Sequence, residues 1–223
     1  MYGFFVWHSI SRSIEISKPL IAKAKAHEQH PTNPTMRILI AGDSLGVGVG
    51  APSNKESLAG RIGKNFPSAD IENISKSGAR LADLEAQLIA QEDSKYDLVF
   101  ITIGGNDITH RTDFNEMRAS LTRVLAKGEI IGEKVLVLTA GNVGLCPAFK
   151  WPFSSYITYR TREVRKIFIE EIAKYPNASY VDLFKERKDE IFNTDIPRYY
   201  APDLFHPSGE GYGVWFEQLK KKL

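Results

Sequence analysis

The sequence predicts an α/β protein, a three-layer α/β/α sandwich built on a five-stranded parallel sheet. Two observations predict it. Short apolar, β-branched runs alternate with longer stretches of helical spacing from residue 36 to the end of the chain. Runs such as Ile38-Leu39-Ile40-Ala41 are apolar throughout rather than alternating, so they are expected to be buried on both faces, as in a parallel sheet covered by helices on each side.

Taken in order, the strand-like runs are 37–41, 71–75, 97–103, 134–140 and 179–183. Helical stretches fall at 58–65, 81–92, 114–127, 156–175 and 209–222. Right-handed crossovers between five such strands give a flavodoxin-like arrangement in one domain, residues 36–223. Ahead of it, residues 1–35 form a separate segment. Phe4, Trp7, Ile10, Ile14 and Ile21 recur at helical spacing, with Arg12, Lys18, Lys23 and Lys25 elsewhere on the helix. Such a helix suits peripheral contact with a membrane surface through residues 1–25, and it equally suits packing of its apolar stripe on the domain. The stretch "MYGFFVWHSI" is about half the ~20 residues a bilayer span needs. It also lacks the basic start and cleavage site of a signal peptide, which favours a cytoplasmic or membrane-associated protein. Residues 27–35, with two prolines and no apolar period, read as a linker whose two histidines are solvated.

Composition bounds the function. A chain of 223 residues suits one ordinary domain, able to bury roughly 70% of its unfolded surface. The 29 basic and 27 acidic residues nearly cancel, and no basic stripe with interleaved aromatics or zinc-finger spacing occurs, so no nucleic-acid partner is expected. With Cys146 as the only cysteine, an intrachain disulfide and a CxxC metal or redox site are both excluded.

In parallel sheets, ligands bind beyond the carboxyl ends of the strands, so the residues that follow each strand matter most. They are Gly42-Asp43-Ser44-Leu45, then Ser75-Lys76-Ser77-Gly78, then Gly104-Gly105-Asn106-Asp107, then Gly141-Asn142, and finally Asp203-Leu204-Phe205-His206. The glycines after the first strand, Gly46-Val47-Gly48-Val49-Gly50-Ala51, fit a dinucleotide pattern with Glu72 as a ribose contact. That fingerprint requires glycine directly after the strand, whereas Asp43-Ser44-Leu45 intervenes, and it leaves Asn106 and His206 unused. Gly42-Asp43-Ser44-Leu45-Gly46 also matches the GxSxG elbow of α/β-hydrolases, but in those proteins several strands precede the serine. Taken singly, Ser44 reads equally as a helix cap, Asn106-Asp107 as a turn and His206 as a loop residue.

Together, Gly42-Asp43-Ser44-Leu45, Gly78, Gly104-Gly105-Asn106-Asp107 and Asp203-Leu204-Phe205-His206 resemble the four signature blocks of the SGNH (GDSL) hydrolases, in order, over residues 36–223. The resemblance implies a serine esterase with Ser44 as nucleophile, His206 as base and Asp203 orienting the imidazole. It also implies an oxyanion hole made by the backbone N–H groups of Ser44 and Gly78 and the side-chain amide of Asn106. Glycine at 78 would let the backbone approach the reacting carbonyl. Asp43 and Asp107 read as loop-bracing acceptors, and Asp182 and Asp195 lack the close spacing to His206 that Asp203 has.

No metal and no cofactor are needed for this chemistry; the partner is a small-molecule or lipid ester. The loop from Asn142 to Tyr156 carries Phe149, Trp151 and Phe153 as an acyl pocket or lid, or as plain aromatic packing. With no helical cap inserted in the domain, an open, shallow site for short or medium acyl chains is expected. Alternatives within the fold are a carbohydrate O-acetylesterase, or a lysophospholipase or thioesterase using the same residues. The alternative of another class is a noncatalytic flavodoxin-like nucleotide or flavin-binding module, which colour or nucleotide protection would reveal.

Overall fold

The structure, a computed structural model, describes residues 2–223, with side chains described from His8 onward. Phe4 and Trp7, which begin the N-terminal apolar stripe, therefore lie outside the described side chains. Strands β1 (Met36–Gly42), β2 (Ala69–Asn73), β3 (Tyr96–Thr102), β4 (Gly132–Leu138) and β5 (Ala178–Val181) form one sheet in the order β2-β1-β3-β4-β5. Every pair in it is parallel.

The alternation within β1 shows how one strand serves two cores. Leu39 and Ala41 join a cluster with Leu84, Leu121 and Phe168, whereas Ile38 and Ile40 join one with Leu58, Ile62 and Tyr212. The first cluster packs α4 (Leu81–Ile89), α6 (Phe114–Ile131) and α7 (Phe153–Ile172) on one face of the sheet. The second packs α3 (Leu58–Asn65) and α9 (Gly209–Leu219) on the other. Both faces of β1 are buried, which is why it reads as continuously apolar.

Boundaries shift where a polar side chain captures backbone. Expected to run to residue 75, β2 stops at Asn73, whose Oδ1 accepts from the N–H of Ser75 (3.2 Å) while its Nδ2 donates to the carbonyl of Gly46 (3.0 Å). Starting at Phe153 rather than at 156, α7 has Pro152 in the flanking position, where a proline's missing N–H costs nothing. The segment expected as a bare linker also does more than connect. Gln29 bridges Ile71 at the free edge of β2, and its amide donates to the carbonyls of Phe66, Pro67 and Ala69.

Ahead of β1 lies a 22-residue helix, α1 (Tyr2–Lys23). Among the described residues, no helix is long and apolar enough to cross a membrane. Ser9 Oγ donates to the carbonyl of Ala148 (2.9 Å) and Ser13 Oγ to that of Asp203 (2.6 Å), so α1 lies over the carboxyl ends of the strands.

Candidate active site

The chain leaves β1 toward β2 on one side and later places β3 on the other, so the strand order reverses at β1. A crevice opens at such a point, between loops that diverge from neighbouring strands. Ser44 follows β1 and Asn106 follows β3, the two strands that flank it.

At Gly42 the backbone takes φ +133°, and a Cβ there would collide with the carbonyl of Thr102. Only glycine lets the chain turn off the strand so close to its neighbour. Asp43 then caps the one-turn helix α2 (Ser44–Val47): its Oδ1 accepts from the N–H of Leu45 (3.0 Å) and from the hydroxyl of Thr102 (3.3 Å). The cap is thus Asp43, and the capping role that Ser44 could have filled is taken. Ser44 is the first residue of α2, so its N–H belongs to the turn that a helix cannot satisfy internally. Gly46 lies within α2 and Gly48 ends it, so the glycines finish a turn rather than wrap a dinucleotide. Glu72 accepts from Tyr96 Oη (2.6 Å).

Burial pushes the Asp43 carboxyl up to about 7; bonds from the Leu45 N–H and the Thr102 hydroxyl partly offset this, and the charge of Asp107 adds to it. Between the unfolded value of 3.8 and about 7 the native protein holds a proton that the unfolded chain has released, so this group's contribution to stability falls as pH rises through that window. Asp43→Asn removes the slope. Urea melts at pH 5 and pH 8 should show the variant gaining stability relative to wild type at the higher pH. A wild-type-minus-variant difference that does not change with pH would rule out this account.

The second and third loops are clamped together. Asn106 Nδ2 donates to the carbonyl of Ala79 (2.9 Å), and Asp107 Oδ2 accepts from the N–H of Leu81 (3.1 Å). Asn106 has a second amide hydrogen beyond the one given to Ala79. Gly78 sits between, at φ +85°, with nothing within 4 Å of where its Cβ would lie. That left-handed backbone favours glycine, and the space where a Cβ would stand belongs to the cavity that Ser44 and His206 also line. Helix α5 (Gly105–His110), which carries Asn106, is fixed from behind by the buried Arg160. Its Nε donates to the carbonyl of Ile108 (3.1 Å), and its guanidinium lies 4.5 Å from the centre of the Phe114 ring. The sequence gives no sign of this buried arginine beyond its place in an amphipathic helix.

The last loop brings two groups to Ser44. Asp203 Oδ1 accepts from the backbone N–H of Phe205 (3.1 Å) and His206 (3.0 Å), which folds the loop tightly on itself. Asp203 Oδ2 then faces His206 Nδ1 at 2.6 Å, and His206 Nε2 faces Ser44 Oγ at 3.0 Å. All three residues are buried. Burial raises the Asp203 pKa, but the hydrogen bond and charge of His206, with the two backbone N–H groups, outweigh it and hold the carboxyl below its usual 3.8. An ionised Asp203 at Nδ1 selects the tautomer in which Nε2 accepts from the Ser44 hydroxyl. Asp182, by contrast, pairs with Arg165, and Asp195 caps the short helix α8 (Ile196–Tyr199).

Two cavities meet at Ser44 and His206. One is a small space of about 40 Å³ whose lining mixes polar groups, Asn142 and Glu190 among them, with Cys146, Phe192 and Tyr200. Burial lifts the Cys146 thiol to about 12, so it stays protonated and unreactive. The other is a largely apolar cavity of about 930 Å³. Phe149 and Phe153 line it, with their rings edge to face at 5.5 Å. Trp151, expected beside them, is 67% exposed in the turn before α7 and does not line it. The site is open, as expected, but deeper than the domain alone would make it, because Ile10, Ile14 and Ile21 of α1 form a wall of this cavity. Among the described residues, no cluster of side chains suits a metal ion.

A model of the GDSL-like lipase/acylhydrolase family matches residues 40–214. An uncharacterized protein of Bacillus subtilis (strain 168), YpmR, is 27% identical over 218 residues, covering 86% of this chain and 82% of that protein. Among solved structures, a lipolytic protein of the G-D-S-L family from Veillonella parvula DSM 2008 superposes with a TM-score of 0.67 at 16% identity, over 84% of this chain and 97% of that one. The lipase Lip_vut3 from a goat rumen metagenome gives 0.60 at 20% identity, over 84% and 97%. The acetylxylan esterase Axe2 from Geobacillus stearothermophilus gives 0.57 at 21% identity, over 85% and 94%. At these identities the structural likeness speaks for the fold alone.

Proposed function

This chain belongs to the GDSL-like lipase/acylhydrolase family, and from that membership we propose that it hydrolyses carboxylic esters through an acyl-enzyme, with Ser44, His206 and Asp203 as its catalytic triad. The observation that carries the reading is the continuous relay Ser44 Oγ–His206–Asp203, with spacings of 3.0 and 2.6 Å.

In this reading Ser44 Oγ attacks the ester carbonyl carbon as its proton passes to His206 Nε2. Asp203 stabilises the resulting imidazolium without itself taking the proton. The carbonyl oxygen becomes an oxyanion held by the N–H groups of Ser44 and Gly78 and the second amide hydrogen of Asn106. Each such donor contributes about 10²–10³ in rate when it is fixed in advance. The clamp from Asn106 to Ala79 and from Asp107 to Leu81 supplies that fixation, because the two loops cannot drift apart without breaking both bonds. The tetrahedral intermediate collapses, the C–O bond to the alcohol breaks, and His206 returns its proton to the leaving oxygen. A water molecule then attacks the acyl-serine with His206 again as base, and the carboxylic acid departs. No step calls for a metal or a redox group.

Treatment with a fluorophosphonate tests this directly. The expected result is one adduct per chain, mapped to Ser44 by peptide mass and accompanied by loss of p-nitrophenyl butyrate hydrolysis. Cys146, held protonated, should remain unmodified. Hydrolysis that survives full modification of Ser44 would remove the serine from the mechanism.

A further inference from the structure

We propose that α1, which lies ahead of the family-matched region, is the acyl-chain wall of the site, and that Ile14 and Ile21 set the chain length this protein accepts. The inference rests on the serine-esterase reading and names its substrate class: esters of carboxylic acids of roughly eight to twelve carbons.

The geometry points to it in four ways. The apolar cavity of about 930 Å³ has Ser44 and His206 in its lining, so whatever fills it is continuous with the nucleophile. Ile10, Ile14 and Ile21 are four and eleven residues apart along a helix of 3.6 residues per turn, which aligns them in one stripe along the cavity. At about 1.5 Å per residue the stripe runs about 16 Å. With a tetrahedral zigzag of about 1.3 Å per carbon, that is the length of about a dozen carbons. Finally, Ile14 is 52% and Ile21 39% exposed although both face the cavity. Half-exposed isoleucines in one row, opposite Phe149, Phe153 and Tyr156, make an apolar trough that its own protein leaves uncovered. Such surface normally marks a binding site.

The wall is also fixed in place. Ser9 holds α1 to the carbonyl of Ala148, and Ser13 holds it to the carbonyl of Asp203 in the triad loop itself. Beyond the helix, Gln29 ties the chain to β2. The isoleucines therefore lie between two anchors, and the first anchor adjoins the reacting groups.

The experiment measures kcat/KM for p-nitrophenyl acetate, butyrate, octanoate and dodecanoate below their micelle concentrations, for wild type, Ile14→Trp, Ile21→Trp and Ser44→Ala. In wild type, kcat/KM should climb by about fourfold per buried methylene up to octanoate or dodecanoate. Ile14→Trp, which fills the trough midway, should lower the dodecanoate-to-acetate ratio at least tenfold. Ile21→Trp, at the distal end, should lower the dodecanoate-to-octanoate ratio. Dodecanoate binding to Ser44→Ala, followed by displacement of a fluorescent fatty acid, reads the trough without turnover and should weaken at least tenfold when Ile14→Trp is added. Both isoleucines are partly exposed, so circular dichroism of the variants should match wild type. A Ser44-dependent activity that prefers acetate, or chain-length ratios and fatty-acid binding unmoved by both tryptophans, would overturn the proposal while leaving the esterase reading intact. Vesicle binding by wild type that Ile14→Glu abolishes, with the chain-length ratios of the tryptophan variants unchanged, would likewise assign the stripe to a membrane surface instead. Hydrolysis undiminished in Ser44→Ala would defeat the esterase reading, and the binding measurement would still decide the trough.

Discussion

Ser44→Ala and His206→Ala are each expected to lower kcat for p-nitrophenyl butyrate by at least about 10³-fold, and the double variant to be hardly slower than either alone. The non-additivity is the informative part. With Ser44 Oγ and His206 Nε2 3.0 Å apart, the base has one proton to take and the nucleophile one base to take it. Removing either member leaves the other without a task, so the second deletion costs little. What rate remains comes from the oxyanion donors and from binding, which neither substitution touches. Two losses that multiply would mean that the residues act in separate steps, and the relay would have to be abandoned. Burst kinetics of wild type add a second check, since acyl-enzyme accumulation requires the serine.

Asp203→Asn should lower kcat by about 10⁴-fold with KM little changed and the fold retained. The reason lies in how the two oxygens are used. Oδ1 accepts two backbone N–H groups, and Oδ2 accepts from His206 Nδ1 at 2.6 Å. An asparagine keeps the loop only by leaving its oxygen on the two N–H groups, which turns its NH₂ toward Nδ1. The imidazole then has to present Nδ1 as acceptor and carry its proton on Nε2, facing the serine with a donor where an acceptor is required. The alternative orientation restores the tautomer but sets NH₂ against two N–H donors and strains the loop. Either way the base is lost while the core is untouched. Steady-state kinetics with circular dichroism will test this, and a variant retaining more than a tenth of wild-type kcat would remove Asp203 from the triad.

Much of the fold was legible because its strands are covered on both faces. Ile38 to Ala41 has no polar position to mark a solvent side, and that continuity identifies a parallel sheet without any knowledge of contacts. The blocks at the strand ends were legible for a related reason. Gly42, Ser44, Gly78, Asn106 and His206 are residue types that strand interiors do not favour, placed where strands stop. Which atom satisfies which was not legible. That Asp43 rather than Ser44 caps α2 depends on a rotamer, and that Gly78 is required by its left-handed backbone depends on a dihedral angle. The same holds for the end of β2, decided by the amide of Asn73. Most hidden was the position of α1. Ile10, Ile14 and Ile21 declare an apolar face, but periodicity names a face and not what lies opposite it. The contacts that place it, from Ser9 to Ala148 and from Ser13 to Asp203, span 139 and 190 residues. Trp151 failed for the converse reason: an aromatic beside Phe149 and Phe153 in sequence turns outward where the chain bends.

The tight loop from Asp203 to His206 has a consequence for how activity is acquired during folding. Base and orienter are three residues apart, and their hydrogen bonds close within a single turn, whereas the nucleophile they serve is 162 positions away. Local turns form in microseconds or less, while closing a long chain segment is delayed by the entropy of bringing its ends together. During refolding from denaturant, the regain of esterase activity is therefore a clock for that one distant encounter. It should lag behind the far-ultraviolet signal of the helices, and substrate turnover becomes a probe of long-range assembly that no spectroscopic label need disturb.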